Sequence, residues 1–137
     1  MSARRAAALA LAAALAACAP TGAPDCAPGT APGMVTTLFF GLSRHDKPDV
    51  AESEWRDFLS HDLLANLPGA TVVEGRGLFR DPGAAVVAEE ATRVVTVGHH
   101  GGAEDRRALA AAVERYKARF DQWGVGRVDS VACTNFE

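Results

Sequence analysis

The chain has 137 residues, 14 basic and 17 acidic side chains, and a formal net charge of -3. This length allows a single domain once a leader is removed. The mildly acidic balance and the lack of a basic cluster argue against nucleic acid and anionic lipid headgroups as partners.

The first residues predict a signal peptide over residues 1–17. Arg4 and Arg5 precede an uncharged run from Ala6 to Ala17, which is the order of the basic and apolar regions in a secretory signal. The run is shorter than the ~20 residues that a membrane-spanning helix needs. We therefore expect the segment to be removed after export rather than to act as a membrane anchor.

The end of this segment indicates lipidation. Leu15-Ala16-Ala17-Cys18 resembles the lipobox of bacterial lipoproteins, in which small residues precede a cysteine that is acylated. We expect acyl chains such as palmitate on Cys18 to hold the protein to a membrane of the bacterial cell envelope, in the periplasm or at the outer surface. The alternative is ordinary secretion, with cleavage after the small residues of Ala14-Leu15-Ala16.

Residues 18–33 predict an extended tether. They include four prolines set among Ala, Gly and Thr, and a segment of this composition has too little apolar surface to form a core. We expect it to hold the folded domain away from the membrane.

The remaining cysteines suggest a disulfide. If Cys18 carries lipid, Cys26 in the tether and Cys133 near the C-terminus are left, and leftover thiols in exported proteins tend to pair. Such a bond would fasten the end of the tether to the last strand. The alternative is that Cys133 is a small buried residue and Cys26 a free thiol.

Residues 34–137 predict one globular domain that opens with a strand and a helix. The strand, Met34 to Ser43, has Leu38, Phe40 and Leu42 on one face. The helix, Val50 to Asn66, has Asp49 as its expected N-cap and ends at Pro68-Gly69. Its buried stripe is expected to comprise Trp55, Phe58, Leu59, Leu63 and Leu67.

A hairpin is predicted next. Its first strand is Ala70 to Arg80, and Asp81-Pro82-Gly83 suits a type II turn. The return strand contains two short apolar bursts, with Glu89-Glu90-Ala91 between them as a bend or bulge.

The final elements are a helix and a strand. The helix lies in AEDRRALAAAVERYKARFDQWG, with Gly124 expected to close it, and the strand is Val125 to Phe136. The buried face of this helix is expected to comprise Leu109, Val113, Tyr116 and Phe120. The whole order predicts an α+β, ferredoxin-like split βαββαβ fold, a four-stranded antiparallel sheet with both helices on one face and strands one and three in the centre.

Several segments of this domain resemble one family. TTLFFGLSR, ESEWRDFL, GRGLFRD, YKARFDQ and RVDSVAC occur in the order found in small exported bacterial proteins classified only as domain of unknown function number 3574. The resemblance covers Met34 to Phe136. It departs at Ala51, where a capping Ser or Asp is expected, and at Gly124 and Gly126, which loosen the start of the last strand. It implies this fold and an envelope location, and no catalytic residue.

The sheet face away from the helices, which we call the open face, is the predicted binding surface. If Leu38 and Phe40 face the helices, Thr37 and Phe39 point the other way. Two acids and two arginines are expected to gather on or near the open face, where a cross-strand ladder of ion pairs that keeps the face soluble is the favoured interpretation. The competing hypothesis is a site for a polar or carboxylate ligand, to which Arg offers a bidentate fork. The residues expected there are Glu74, Arg76, Arg127 and Asp129.

Two neighbouring histidines are candidate metal ligands. His99 and His100 precede Glu104 and Asp105, but adjacent histidines at a strand end point in opposite directions. We therefore expect a solvated loop with no metal site, and we predict neither a catalytic residue nor a cofactor.

Two functions remain from the sequence. The first is a non-enzymatic, lipid-anchored envelope domain that binds a small ligand or an envelope protein through its open face. The second is a small enzyme of the dimeric α/β-barrel kind, a homodimer whose two sheets face each other around a pocket.

Overall fold

The computed structural model describes residues 22–80 and 82–135. The predicted signal peptide, Cys18 and the first part of the tether lie outside the described residues. The elements, in chain order, are β1 (Ala31–Gly41), α1 (Glu52–Phe58) continued by a π-helical segment (Leu59–Leu63), β2 (Thr71–Phe79), β3 (Ala88–His99), α2 (Ala103–Phe120) and β4 (Gly126–Thr134).

The four strands form one antiparallel sheet in the order β2-β3-β1-β4. The first and third strands are therefore central, as the sequence predicts. Together with the helix positions, this order confirms the ferredoxin-like fold.

Both helices pack on the same face of the sheet. The ring of Phe40 in β1 lies 5.4 Å from that of Trp55, 5.5 Å from that of Phe58 and 4.7 Å from that of Tyr116, measured between centroids. These contacts join α1 and α2 over one strand. The buried apolar core comprises Leu38, Phe40, Leu42, Val50, Trp55, Phe58, Leu63, Leu67, Val95, Val97, Leu109, Ala112, Tyr116 and Phe120.

The disulfide between Cys26 and Cys133 is present, with Cα atoms 5.5 Å apart. The predicted bond between the tether and the last strand is thus confirmed. The first strand also begins earlier than Met34, at Ala31, because Pro32 is already paired with Cys133 in the ladder with β4.

The first helix differs from its predicted form. It begins at Glu52 rather than Val50, and Ala51 occupies the N-cap position. The backbone N–H of Ala51 donates to the Glu54 carboxylate at 2.8 Å, and no side chain caps the first helical N–H groups in the way expected of Asp49. The last turn is π-helical, and it still buries Leu63.

The hairpin and the last helix differ in their turns. Gly83 has a φ of +83°, which fits the predicted turn, while Asp81 lies outside the described residues. The bulge predicted at Glu89-Glu90-Ala91 is wrong, because the register between β2 and β3 runs unbroken through these residues. The last helix ends at Phe120 and is closed by Asp121, whose φ is +56°, and not by Gly124.

Within residues 22–80 and 82–135, no helix combines the length and the hydropathy needed to cross a membrane.

Candidate functional site

The register gives the sheet two different faces. Leu38, Phe40 and Val95 define the helix face, which both helices cover. Residues that alternate with them form the open face. Its uncharged members other than Gly and Ala are Val35, Thr37, Phe39, Thr71, Val73, Phe79, Thr92, Val94, Thr96, Val128, Ser130 and Thr134. Among the described strand residues, the only charged one on this face is Glu90.

The predicted ligand residues are not on the open face. Arg127 pairs directly with Leu38, and Asp129 pairs with Thr36, so both belong to the helix face. Glu74 and Arg76 lie two and four residues after Val72, which packs against the core, and so they share the helix face with it. The expected placement of all four is therefore wrong.

The four residues are also not brought together. The Nε of Arg127 lies 2.9 Å from the Asp129 carboxylate on β4, and the Nη2 of Arg76 lies 2.8 Å from Glu89. Glu74 pairs with Arg93 across the β2–β3 ladder. Since β2 and β4 are the outer strands, about 14 Å of sheet separates the two groups.

The reason for this error is visible on the outer strands. Arg127, Asp129 and Val131 are exposed although they point to the helix side of the sheet. The two helices cover the central strands and leave this part of β4 open to solvent. Charge on an outer strand therefore does not mark the open face.

A chain of hydrogen bonds runs from the buried His99 on β3, through the buried Thr36, to the exposed Asp129. The Nδ1 of His99 accepts the backbone N–H of Gly101 at 3.1 Å, which places the ring proton on Nε2. Nε2 then donates to the hydroxyl of Thr36 at 2.9 Å, and that hydroxyl donates to Asp129 at 2.5 Å. Hydrogen bonding to Thr36, and then to Arg127, lowers the pKa of Asp129.

His99 is not part of a solvated loop, contrary to the prediction for this pair. It is 1% exposed, because it pairs with Met34 on the helix face. His100 is exposed, so the two rings do point apart. In the part of the chain that the structure describes, no three His, Cys, Asp or Glu side chains are grouped so as to hold a metal ion.

An open cavity of about 470 Å³ lies at one end of the sheet. β1 and β2 end here, and β3 and β4 begin here, because neighbouring strands are antiparallel. The loops after β1 and before β4 complete it. Its lining comprises Ser43, Arg44, His45, Phe79, Glu90, Asp121, Gln122, Trp123 and Gly124.

Glu90 occupies a space left by two glycines. A Cβ on Gly41 would lie 2.5 Å from each carboxylate oxygen of Glu90, and a Cβ on Gly77 would lie 3.5 Å from its Cγ. None of the ion pairs among residues 22–80 and 82–135 involves Glu90. A half-buried carboxylate is thus held in the cavity wall without a cation of the described chain beside it.

The other charged residues of the cavity have partners. Arg44 donates to the carbonyl of Pro48 at 2.6 Å and to both carboxylate oxygens of Glu54 at 3.2 Å. Asp121 is paired with Lys47 at 3.4 Å. These contacts hold the loops that form the wall, and they leave Glu90 as the charge available to a ligand.

Tyr116 connects the buried core to the wall of this cavity. Its hydroxyl donates to the carbonyl of Gly41 at 2.7 Å. Burial raises the pKa of Tyr116, and the nearby charge of Glu90 raises it further. The hydroxyl therefore stays protonated and fixes the strand end against which Glu90 lies.

Sequence reasoning missed these cavity residues. Phe79, Glu90 and Trp123 come from three separate elements, and no local motif joins them. Two signals were available: Gly41 and Gly77, within strands that otherwise favour β-branched residues, and Trp123 beside Gly124 in a short loop. Trp123 is 90% exposed, which is unusual for the largest apolar side chain.

Comparison with known proteins identifies a family and a fold. A family model described as "Protein of unknown function (DUF3574)" matches residues 35–136, which confirms the resemblance seen in the sequence. No curated protein matches the chain significantly.

Two solved structures of a phage SAM lyase are similar. The complex with S-methyl-5'-thioadenosine has a TM-score of 0.56 and 18% identity, over 85% of this chain and 97% of that chain. The apo state has a TM-score of 0.54 and 19% identity, over 85% and 98%. At this identity the likeness shows a shared fold.

Proposed function

This chain belongs to the DUF3574 family. We propose that it is a small-ligand-binding domain whose site is the cavity at the strand ends. The observation that carries the proposal is the Glu90 carboxylate, which lines the same cavity as the rings of Phe79 and Trp123. A cavity that combines aromatic rings with a few polar groups is the usual form of a small-molecule site.

The ligand class follows from these groups. A carboxylate without a cationic partner favours a positively charged ligand, and an exposed indole offers a face for a planar ring or a cation. The Phe79 ring, 45% exposed, adds apolar area. We therefore expect an organic cation that carries a planar ring.

SAM is the first probe of this class, because it joins a sulfonium to an adenine ring. Its use is also suggested by the phage SAM lyase, which was solved with S-methyl-5'-thioadenosine. That second molecule keeps the ring and lacks the positive charge. The pair thus separates recognition of the ring from recognition of the cation.

Isothermal titration of the full chain tests this site. SAM should bind more tightly than S-methyl-5'-thioadenosine, and Glu90→Gln should weaken the binding of SAM by at least about fivefold, since it removes the attraction between the carboxylate and the sulfonium charge, which is about 1 to 4 kcal/mol at about 4 Å. Trp123→Ala should weaken the binding of both ligands by about 2- to 13-fold, because both lose the stacking of the adenine ring on the indole. Neither change should alter the melting temperature much.

Glu89→Gln is the matched control for this titration. Glu89 is the neighbour of Glu90 on β3, points to the other face and pairs with Arg76. Glu89→Gln should leave the binding of SAM unchanged. If SAM and a trimethylammonium compound such as choline both fail to bind, or if Glu90→Gln binds SAM as the wild type does, the cation site is wrong.

Enzymatic cleavage of SAM is the second candidate. Its support is the phage lyase fold, shared over 97% of that protein. Incubation with SAM, followed by chromatography for released S-methyl-5'-thioadenosine, distinguishes a lyase from a binding domain. Tight binding with no release above the rate in buffer would favour binding alone.

We also propose that the protein is exported and anchored to the cell envelope by lipid on Cys18. The disulfide between Cys26 and Cys133 supports export, because such bonds form and persist in oxidising compartments. Labelling of cells with radioactive palmitate should mark the wild type and not Cys18→Ala. Label retained on Cys18→Ala would contradict the anchor.

A further inference from the structure

The open face of the sheet is an exposed surface with an unusual composition. Val73 is 55% exposed, Val128 53% and Phe39 40%. Between them lie Val, Thr, Ser and Gly residues, and Glu90 is the only charged strand residue of this face in the part of the chain that the structure describes. We infer that a second copy of this chain covers the open face, and that the two sheets pack face to face.

The absence of charge across most of this face favours a second copy over an unrelated partner. In a two-fold dimer the same patch meets itself, so any charge near its centre would meet its own like charge. Glu90 lies at the end of the strands, at the cavity, and stays at the rim. The other charged strand residues all point to the helix face, where the partner copy does not reach: Glu74, Arg76, Glu89, Arg93, Arg127 and Asp129.

The size of the face also suits a dimer. Four strands, each about 4.8 Å apart and rising about 3.3 Å per residue, give a face of roughly 500 to 600 Å². Two such faces bury roughly 1,000 to 1,200 Å², which reaches the lower limit of a specific interface. The small Gly, Ser and Thr side chains allow the spacing of about 10 Å found between packed sheets.

A lipid surface fits the open face less well. Proteins that lie on membranes usually surround their apolar residues with Lys and Arg, and the open face contains neither among its strand residues. The second copy would also border the proposed ligand cavity, since Phe79 and Glu90 belong to both. The inference does not depend on the ligand, because the interface is defined by the sheet.

Light scattering on the full chain with Cys18→Ser, which removes the lipid-bearing thiol, measures the oligomeric state. The expected mass is that of a dimer. Val128→Lys should raise the dimer dissociation constant by at least about tenfold, because two lysines would be buried in an apolar interface. Val73→Lys, on the same face at the other edge of the sheet, should act in the same direction.

Matched controls lie on the same strands. Val131→Lys on β4 and Leu78→Lys on β2 change residues that are each 67% exposed but point to the helix face. Both should remain dimeric. Thermal melts at low protein concentration identify any variant that fails to fold.

Three results would overturn the inference. A wild-type monomer at high concentration excludes the second copy. Equal dissociation by Val128→Lys and Val131→Lys, with both folded, places the interface elsewhere. A monomer that binds phosphatidylcholine vesicles, and loses this binding with Val128→Lys, makes the bilayer the occupant.

Discussion

The two faces of the sheet divide the properties of this protein. The helix face buries Leu38, Phe40 and Val95 beneath two helices. It also carries nearly all of the charged strand residues, on both outer strands and on the central strand β3. Among the described strand residues, the open face has no buried aromatic ring and a single charge, that of Glu90. Stability therefore depends mainly on the first face, and the proposed recognition depends on the second. Neither the burial nor the charge of the residues in a single strand is enough to tell which face supports stability and which face binds a ligand or partner.

The largest difference between the faces is expected in the free energy of unfolding that is lost when two adjacent aromatic residues, one on each face, are truncated. Phe40→Ala should lower the free energy of unfolding by about 3 to 5 kcal/mol, since Phe40 is fully buried and a cavity would remain. Phe39→Ala should cost about 1 to 2 kcal/mol, because its ring is partly exposed. Urea unfolding at low protein concentration measures both. Equal losses would mean that the faces are not distinct in packing.

The disulfide should contribute to stability mainly by holding β4, the outer strand that the helices leave partly uncovered. Cys26 and Cys133 are separated by 107 residues, and the chain-entropy model gives about 4 to 5 kcal/mol for a loop of that size. We expect Cys26→Ser/Cys133→Ser to lose about 2 to 5 kcal/mol.

Hydrogen exchange then locates this effect. The amides of β4 should lose more protection than those of β2, the outer strand without the bond. An equal loss in β2 and β4 would contradict a specific role for the disulfide in holding β4.

A smaller difference is expected for two neighbouring threonines. Thr36→Val should cost about 1 to 3 kcal/mol, because the Nε2 proton of His99 would remain buried without an acceptor. Thr37→Val, on the open face, should stay within about 0.5 kcal/mol of the wild type. If Thr36→Val leaves the free energy of unfolding unchanged, the hydrogen-bond chain from His99 to Asp129 contributes little to stability.

The smallest expected effect is on the pH dependence. The pKa of Asp129 lies below its ordinary value of 3.8, mainly because of the Thr36 hydroxyl and then Arg127. Its contribution to stability is complete above that ordinary value and is lost as the pH falls through the lowered pKa.

Unfolding measured between about pH 5 and about pH 2 tests this contribution. It should show a shallower decline for Asp129→Asn than for the wild type. Some decline should remain, because hydrogen bonds also lower the pKa of Glu54 and Asp57. Identical slopes would contradict the role of Asp129.

The fold could be predicted from local patterns. The alternation of Leu38, Phe40 and Leu42, and the stripe that includes Tyr116 and Phe120, fix which side of β1 and α2 is buried. Once the element order is known, right-handed crossovers leave one arrangement of the strands. The disulfide followed from cysteine arithmetic and the expected export.

The site could not be predicted in the same way. A register shift of one residue moves every side chain of a strand to the other face, and β2 and β4 lack a strong apolar alternation. Their charges suggested the open face for Glu74 and Arg127, but outer strands tolerate charge wherever the helices do not reach. Glu90 was assigned to a bulge, and only the unbroken pairing with Gly77 places its carboxylate in the cavity.

Chemical-shift mapping of the ¹⁵N-labelled chain with SAM tests the central claim most directly, because it locates the ligand without assuming a reaction. The claim predicts that the indole N–H of Trp123 and the backbone amides of Gly41, His45 and Glu90 shift with SAM concentration, while those of Arg127 and Asp129 do not. Shifts centred on Arg127 and Asp129, or none at the cavity at saturating SAM, would contradict the proposed site.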